Sequence, residues 1–156
     1  MLELRQIIPR GLCLDCRGCC RFLKARSIWA PRLLSEEKKS LYLKKKKFAL
    51  FRDSNTGYFF CGYLNQDNNK CRIYKKRPFD CRLYPFLLSR EGNKIFLAAD
   101  LNCPFIAENL KKQKLKRHIL YLKAFFNRPK VRSLLQKNPQ FIQRYKGALH
   151  LLELKI

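Results

Sequence analysis

Cys13-Leu14-Asp15-Cys16-Arg17-Gly18-Cys19-Cys20 places four of the chain's eight cysteines within eight consecutive residues. Cys13, Cys16 and Cys19 follow a C-x2-C-x2-C rhythm, the spacing that lets successive thiolates turn toward one centre. Cys20 lies directly beside Cys19, so its side chain must point elsewhere or cap the set. Gly18 relieves the backbone where the chain has to curl most tightly. The stretch therefore reads as a short metal-wrapping loop around which the rest of the fold must close.

The other cysteines, Cys61, Cys71, Cys81 and Cys103, are spread singly over the following residues. Further segments must fold back to meet the loop. Eight thiols can fill two four-sulfur sites, or one cluster with a reserve of redox-active thiols. The ligand pool is defined and its partition is open.

Size and composition set the frame for that pool. A chain of 156 residues with 47% apolar side chains has room for one modest core, which a metal staple would strengthen. The expected organisation is a single domain over residues 1–156, with a cysteine-cluster region at 13–103 and a helical buttress at 104–156. The charge balance is the second outlier: 35 basic against 11 acidic residues gives +24. A field of that sign attracts nucleic acid, anionic lipid or acidic protein surfaces. Codon bias toward lysine accounts for the lysines but not for the scarcity of Asp and Glu.

The opening residues, Met-Leu-Glu-Leu-Arg-Gln-Ile-Ile-Pro-Arg, lack the long apolar run and small-residue cleavage site of a secretory signal. No stretch reaches the roughly 18–20 apolar residues of a membrane span. The expectation is a cytoplasmic protein, where thiols stay reduced and clustered cysteines serve as ligands rather than disulfides.

In chain order, Ser35-Glu36-Glu37 signals a helix start, with a hydroxyl cap and two acids at the positive end of the dipole, and the helix is expected to run to about Lys45. Residues 48–64 read as a hairpin around Asp53-Ser54-Asn55-Thr56-Gly57, which would deliver Cys61. Pro78 and Pro85 prevent the segment around Cys81 from forming one regular helix. Phe86–Leu88 and Ile95–Ala98 flank a second turn at Arg90-Glu91-Gly92-Asn93. Beyond Pro104, the stripe Leu115, Ile119, Leu122 and Phe126 predicts a helix ending before Pro129, and a short helix is expected at Val131–Gln136. Asn138 and Pro139 then predict a final helix with Phe141, Tyr145, Ala148 or Leu149, and Leu152 on one face. The predicted class is α+β: a small cysteine-rich metal-binding region with short hairpins and a helical last third.

Four cysteines are followed directly by arginine, in Cys16-Arg17, Cys20-Arg21, Cys71-Arg72 and Cys81-Arg82. Guanidinium groups beside a thiolate centre lower thiol pKa values and offset its negative charge. His118 and His150 have no ligand spacing to another donor, and no second C-x2-C pair exists, so a zinc-finger arrangement is disfavoured. Three thiolates from one segment with a remote fourth suit an iron–sulfur centre. The expected cofactor is accordingly an iron–sulfur cluster, four-iron four-sulfur in kind, with zinc as the alternative. Asp15 and Asp80 read as turn formers bonded to backbone amides, and Tyr74, Tyr84 and Phe86 as walls of the site. No G-x-S-x-G, H-E-x-x-H or G-x4-G-K-[ST] motif is present.

Cys13-x2-Cys16-x2-Cys19-Cys20, Cys61, the run Cys71-Arg72-Ile73-Tyr74 through Arg77-Pro78 to Cys81-Arg82-Leu83-Tyr84-Pro85, and Cys103-Pro104 together resemble the CxxCxxCC family. This is the YkgJ-like group of zinc- or iron-chelating domains. The resemblance implies metal chelation by Cys13, Cys16, Cys19, Cys20, Cys61, Cys71, Cys81 and Cys103. A similar cysteine set occurs in flagellin lysine-N-methylases, which are longer; that likeness implies an iron–sulfur-dependent protein-modifying enzyme as a further reading, although residues 104–156 carry nothing that identifies one. A zinc-stapled module that binds nucleic acid is the reading the charge supports.

Overall fold

The turn expected at Asp53–Gly57 forms. Gly57 takes a φ of 74°, and Asp53 accepts the Asn55 amide at 2.9 Å, a side-chain bond that fixes such turns locally. The computed structural model describes residues 3–16, 18–39 and 49–156. The expected helix beyond Lys39 lies outside the described residues. Around the turn, β2 (Leu50–Arg52) returns as β3 (Phe59–Cys61), antiparallel, and β1 (Arg21–Phe22) joins the other side of β3. The resulting three-stranded sheet has the order β1-β3-β2.

The chain divides into two compact units, one from Ile8–Arg82 and the other from residues 3–7 with 83–156. In the first unit, α1 (Arg10–Cys16) precedes β1, and α2 (Ser35–Lys39) carries Glu36 and Glu37 in its first turn. Glu37 reaches back to accept the Leu34 amide at 2.9 Å, satisfying one of the helix's orphan donors. A 3₁₀ turn at Tyr74–Lys76 then leads into α3 (Phe79–Leu83).

The second unit is built on the other expected hairpin. β4 (Phe86–Glu91) and β5 (Lys94–Ala99) pair antiparallel around Gly92 and Asn93, with Gly92 at a φ of 56°. β6 (Ile142–Gln143) adds to β4 in parallel and β7 (Leu149–Leu154) to β5 antiparallel, giving the order β6-β4-β5-β7. Helices α4 (Pro104–Asn109), α5 (Gln113–Phe126) and α6 (Pro129–Gln136) follow β5. Leu115, Leu122, Phe125 and Phe126 of α5 and Val131 and Leu135 of α6 are buried. Their three- and four-residue spacing puts them on the inner faces. Pro104 and Pro129 open their helices where a missing N–H costs nothing.

The fold is α+β. The final helix expected from Pro139 does not form. Pro139–Phe141 is a 3₁₀ turn, Gly147 sits at a φ of 82°, and Leu149–Leu154 is strand β7. The open edge of β5 offers backbone partners that a short apolar run satisfies better as a strand. Among the described residues no helix is long and apolar enough to cross a membrane.

Candidate metal centre

Cys13 and Cys16 do not lie in a loop as expected but on α1, three residues apart and therefore on one side of its last turn. Gly18 follows closely enough that a β-carbon there would meet the Cys16 Sγ at 3.4 Å. The Arg21 amide donates to the Gly18 carbonyl at 3.0 Å, closing a tight turn whose central residues are Cys19 and Cys20. Asn69 pins this turn from outside. Its Oδ1 accepts from the Arg21 guanidinium at 2.8 Å and its Nδ2 donates to the Leu14 carbonyl at 3.3 Å.

Cys61 is delivered by β3 as the hairpin reading required. Its amide donates to the Cys20 carbonyl at 2.9 Å, and its own carbonyl accepts from Leu64 at 2.8 Å. Leu64 bridges to Cys71. Cys61, Tyr63, Leu64 and Ile73 form a buried cluster with Cys20, Phe60 and Cys71 packed against it. The cysteines are thus held by the hydrophobic core of the first unit.

Cys81 sits in the short helix α3, which two acids hold in place. The other oxygen of Glu37 accepts the Phe79 amide at 2.7 Å, so one carboxylate serves the starts of α2 and α3. Asp80 bonds to a backbone amide, as its sequence position suggested: its Oδ2 accepts from Arg32 at 2.7 Å. Burial pushes the Asp80 carboxyl up to about 6, against the Arg32 amide and charge.

Electrostatics ties Cys19, Cys20, Cys61, Cys71 and Cys81 together. The Cys19 thiol is lowered to about 7, first by the hydrogen bond from Cys20, with the Arg77 and Arg21 charges adding to it and desolvation of the crowded sulfur opposing. Cys20 is pushed far up, first by that same bond and then by burial and by the charges of Cys19, Cys61 and Cys81. The two act as a thiolate and its thiol donor. Burial raises Cys61, Cys71 and Cys81, and each of the three also feels Cys19.

Arg77 was prominent in sequence only as part of an Arg-Pro pair. Its guanidinium lies 3.9 Å from the Tyr74 ring centroid and its Nε donates to the Tyr74 carbonyl at 3.1 Å. Arg10 approaches the same ring at 4.9 Å. Tyr74 therefore orients cations rather than serving as a plain wall. Among the described residues, Arg77 and Arg21 are cations that act on Cys19, and Arg21 follows a cysteine directly.

Cys103 belongs to the second unit, buried at the residue preceding α4, where its amide donates to the Asp100 carbonyl at 3.2 Å. Tyr84 and Phe86 lie in that unit too. Tyr84 donates to Asp100 Oδ2 at 2.9 Å, and Phe86 is buried 5.3 Å from the His118 ring. Both histidines are in the second unit, which leaves the first with an all-sulfur donor set among its soft ligands. Thiolate sulfur with nearby guanidinium groups fits either zinc or an iron–sulfur centre. Among the described residues no group of three or more His, Cys, Asp or Glu side chains is already arranged to hold a metal ion.

A sequence match spanning residues 12–104 encloses all eight cysteines. The chain belongs to the CxxCxxCC family. The family is described as "Putative zinc- or iron-chelating domain", and membership supports metal binding in general. The CxxCxxCC match runs from the residue before Cys13 to the residue after Cys103, so it takes in the whole hairpin of β4 and β5 as well as residues 12–82 of the first unit. No solved structure matches the chain.

Proposed function

We propose that this CxxCxxCC protein is a cytoplasmic iron–sulfur protein with a redox or metal-handling role, zinc being the alternative occupant. Cys19, Cys20, Cys61, Cys71 and Cys81 form the central donor pool. Cys13 and Cys16 join from α1. The observation that carries the reading is that Cys20, Cys61 and Cys71, from three separate segments, meet at one buried cluster, with the Cys61 amide bonded to the Cys20 carbonyl; the influence of Cys19 on Cys61, Cys71 and Cys81 agrees with it.

When bound, a cluster supplies one-electron chemistry, whereas zinc supplies structural cross-linking. The chain's own residues govern loading. Cys19 is the thiolate available first, since Cys20 donates to it and Arg77 and Arg21 favour its charge. Cys61, Cys71 and Cys81 keep their protons until a cation arrives, because burial disfavours three more anions. Binding a metal would expel their protons.

The test is proton release. Titrating metal-free protein with zinc at neutral pH in weak buffer should free between about three and four protons per metal bound by four thiols, because Cys19 is already about half ionised. Binding without proton release would contradict the proposal.

A further inference from the structure

Between Glu108 and Glu153 the chain carries twelve lysines and arginines and not one Asp or Glu. All twelve are exposed. Among the described residues none of these twelve is in an ion pair; the pairs Lys94 with Glu153 and His150 with Glu91 lie on the sheet. An ordinary solvated surface intersperses both signs, because a single-sign field repels itself. Here the repulsion is left standing across α5, α6 and the turns beside them.

The cations are also placed against the local preference. The positive end of a helix dipole favours acids. Neither α5 nor α6 has an acid in its first turn or a side-chain cap. Lys112 and Lys114 stand at the start of α5, and Arg128 and Lys130 at the start of α6. Two neighbouring helices that break the same rule in the same direction point to selection for something other than stability.

We infer that the exposed face of α5 and α6 is a docking surface for the phosphodiester backbone of nucleic acid, bound without regard to base sequence. A lipid surface fits less well. Membrane-surface helices keep an apolar face free to enter the acyl boundary, whereas the apolar residues of α5 are spent on the core and Leu120 is the large apolar side chain exposed in this stretch. Its aromatic residues are not exposed, so base stacking contributes nothing and phosphate contacts carry the binding. The inference is independent of the metal reading, since it uses only the second unit.

Full-length protein is tested by fluorescence anisotropy on labelled DNA and RNA duplexes of about 20 base pairs and unrelated sequences, with vesicles containing phosphatidylserine as a separate arm. One variant carries Lys116→Glu, Lys123→Glu, Lys130→Glu and Arg132→Glu. A control with the same change in charge carries Lys24→Glu, Arg26→Glu, Lys70→Glu and Lys75→Glu in the first unit. Duplex affinity should fall about 100-fold or more between roughly 50 and 200 mM salt, as four or more phosphate contacts require. It should be alike for different sequences and about tenfold or more weaker in the helical variant than in the control. The duplex arms then tell DNA from RNA. If the reversed helices lose their fold by circular dichroism, the four glutamine substitutions replace them, with the same loss expected at smaller size. No duplex binding at low salt, equal loss in the control, or capture by the vesicles alone would overturn the inference.

Discussion

The Cys61 amide donates to the Cys20 carbonyl across 2.9 Å, joining the end of β3 to the turn that holds the adjacent cysteines. The bond makes the hairpin and the cysteine turn one structural piece. The hairpin thereby sets where Cys20 can go, and Cys20 in turn sets the state of Cys19.

That coupling is measurable in the metal-free protein. Cys19 is lowered to about 7 chiefly by the Cys20 hydrogen bond, with Arg77 a smaller contributor. Cys20→Ala should move the pH midpoint of Cys19 alkylation upward, and further than Arg77→Gln does. Iodoacetamide labelling read by peptide mass spectrometry checks this. A midpoint that stays put in Cys20→Ala contradicts the assigned cause.

Glu37 accepts amides at the starts of both α2 and α3. Glu37→Ala strands both donors and should cost about 2–3 kcal/mol, as loss of a cap together with a buried charge-assisted bond does. Glu37→Gln keeps one acceptor oxygen and should cost less. Urea denaturation followed by circular dichroism gives both values, and indistinguishable midpoints for wild type and Glu37→Ala would show that the carboxylate does not hold the two helices.

His118 is buried between Phe86 and Tyr121. Burial, with the Arg5 charge adding, lowers it from 6.5 to about 4. The unfolded chain therefore binds the proton first on acidification, and stability present above pH 6.5 is lost as the pH falls toward about 4. His118→Phe should flatten that part of the pH–stability curve relative to wild type. Equal slopes for the two proteins would place the acid sensitivity elsewhere.

Much of this arrangement was legible in the sequence because it depends on local signals. Gly57 and Gly92 marked both hairpins, and the Leu115–Phe126 stripe marked α5. The cysteine spacing named the family. What escaped were consequences of distant packing. The turn that presents Cys19 and Cys20 is fixed by Asn69, which lies in a stretch that reads only as polar loop. Arg77 gains its role by lying on Tyr74, and nothing in an Arg-Pro pair announces that. Leu149–Leu154 has a spacing compatible with helix or strand, and the free edge of β5 decides between them. Helicity at Cys13 and Cys16 is not announced locally, because α1 is only seven residues long and a C-x2-C spacing suits a loop and a helical turn alike.

The most direct measurement is elemental analysis for iron, zinc and acid-labile sulfide on protein purified without oxygen, alongside its absorption spectrum and the same analysis for Cys81→Ser. The account predicts brown protein with iron and sulfide in comparable amounts and broad absorption near about 400 nm, the order for thiolate-bound clusters, with both lost in the variant. Stoichiometric zinc in colourless protein would replace the cluster with the alternative occupant. Wild-type protein free of iron and zinc, or a Cys81→Ser protein that retains its full metal content, would contradict the central claim that these thiols form one metal centre.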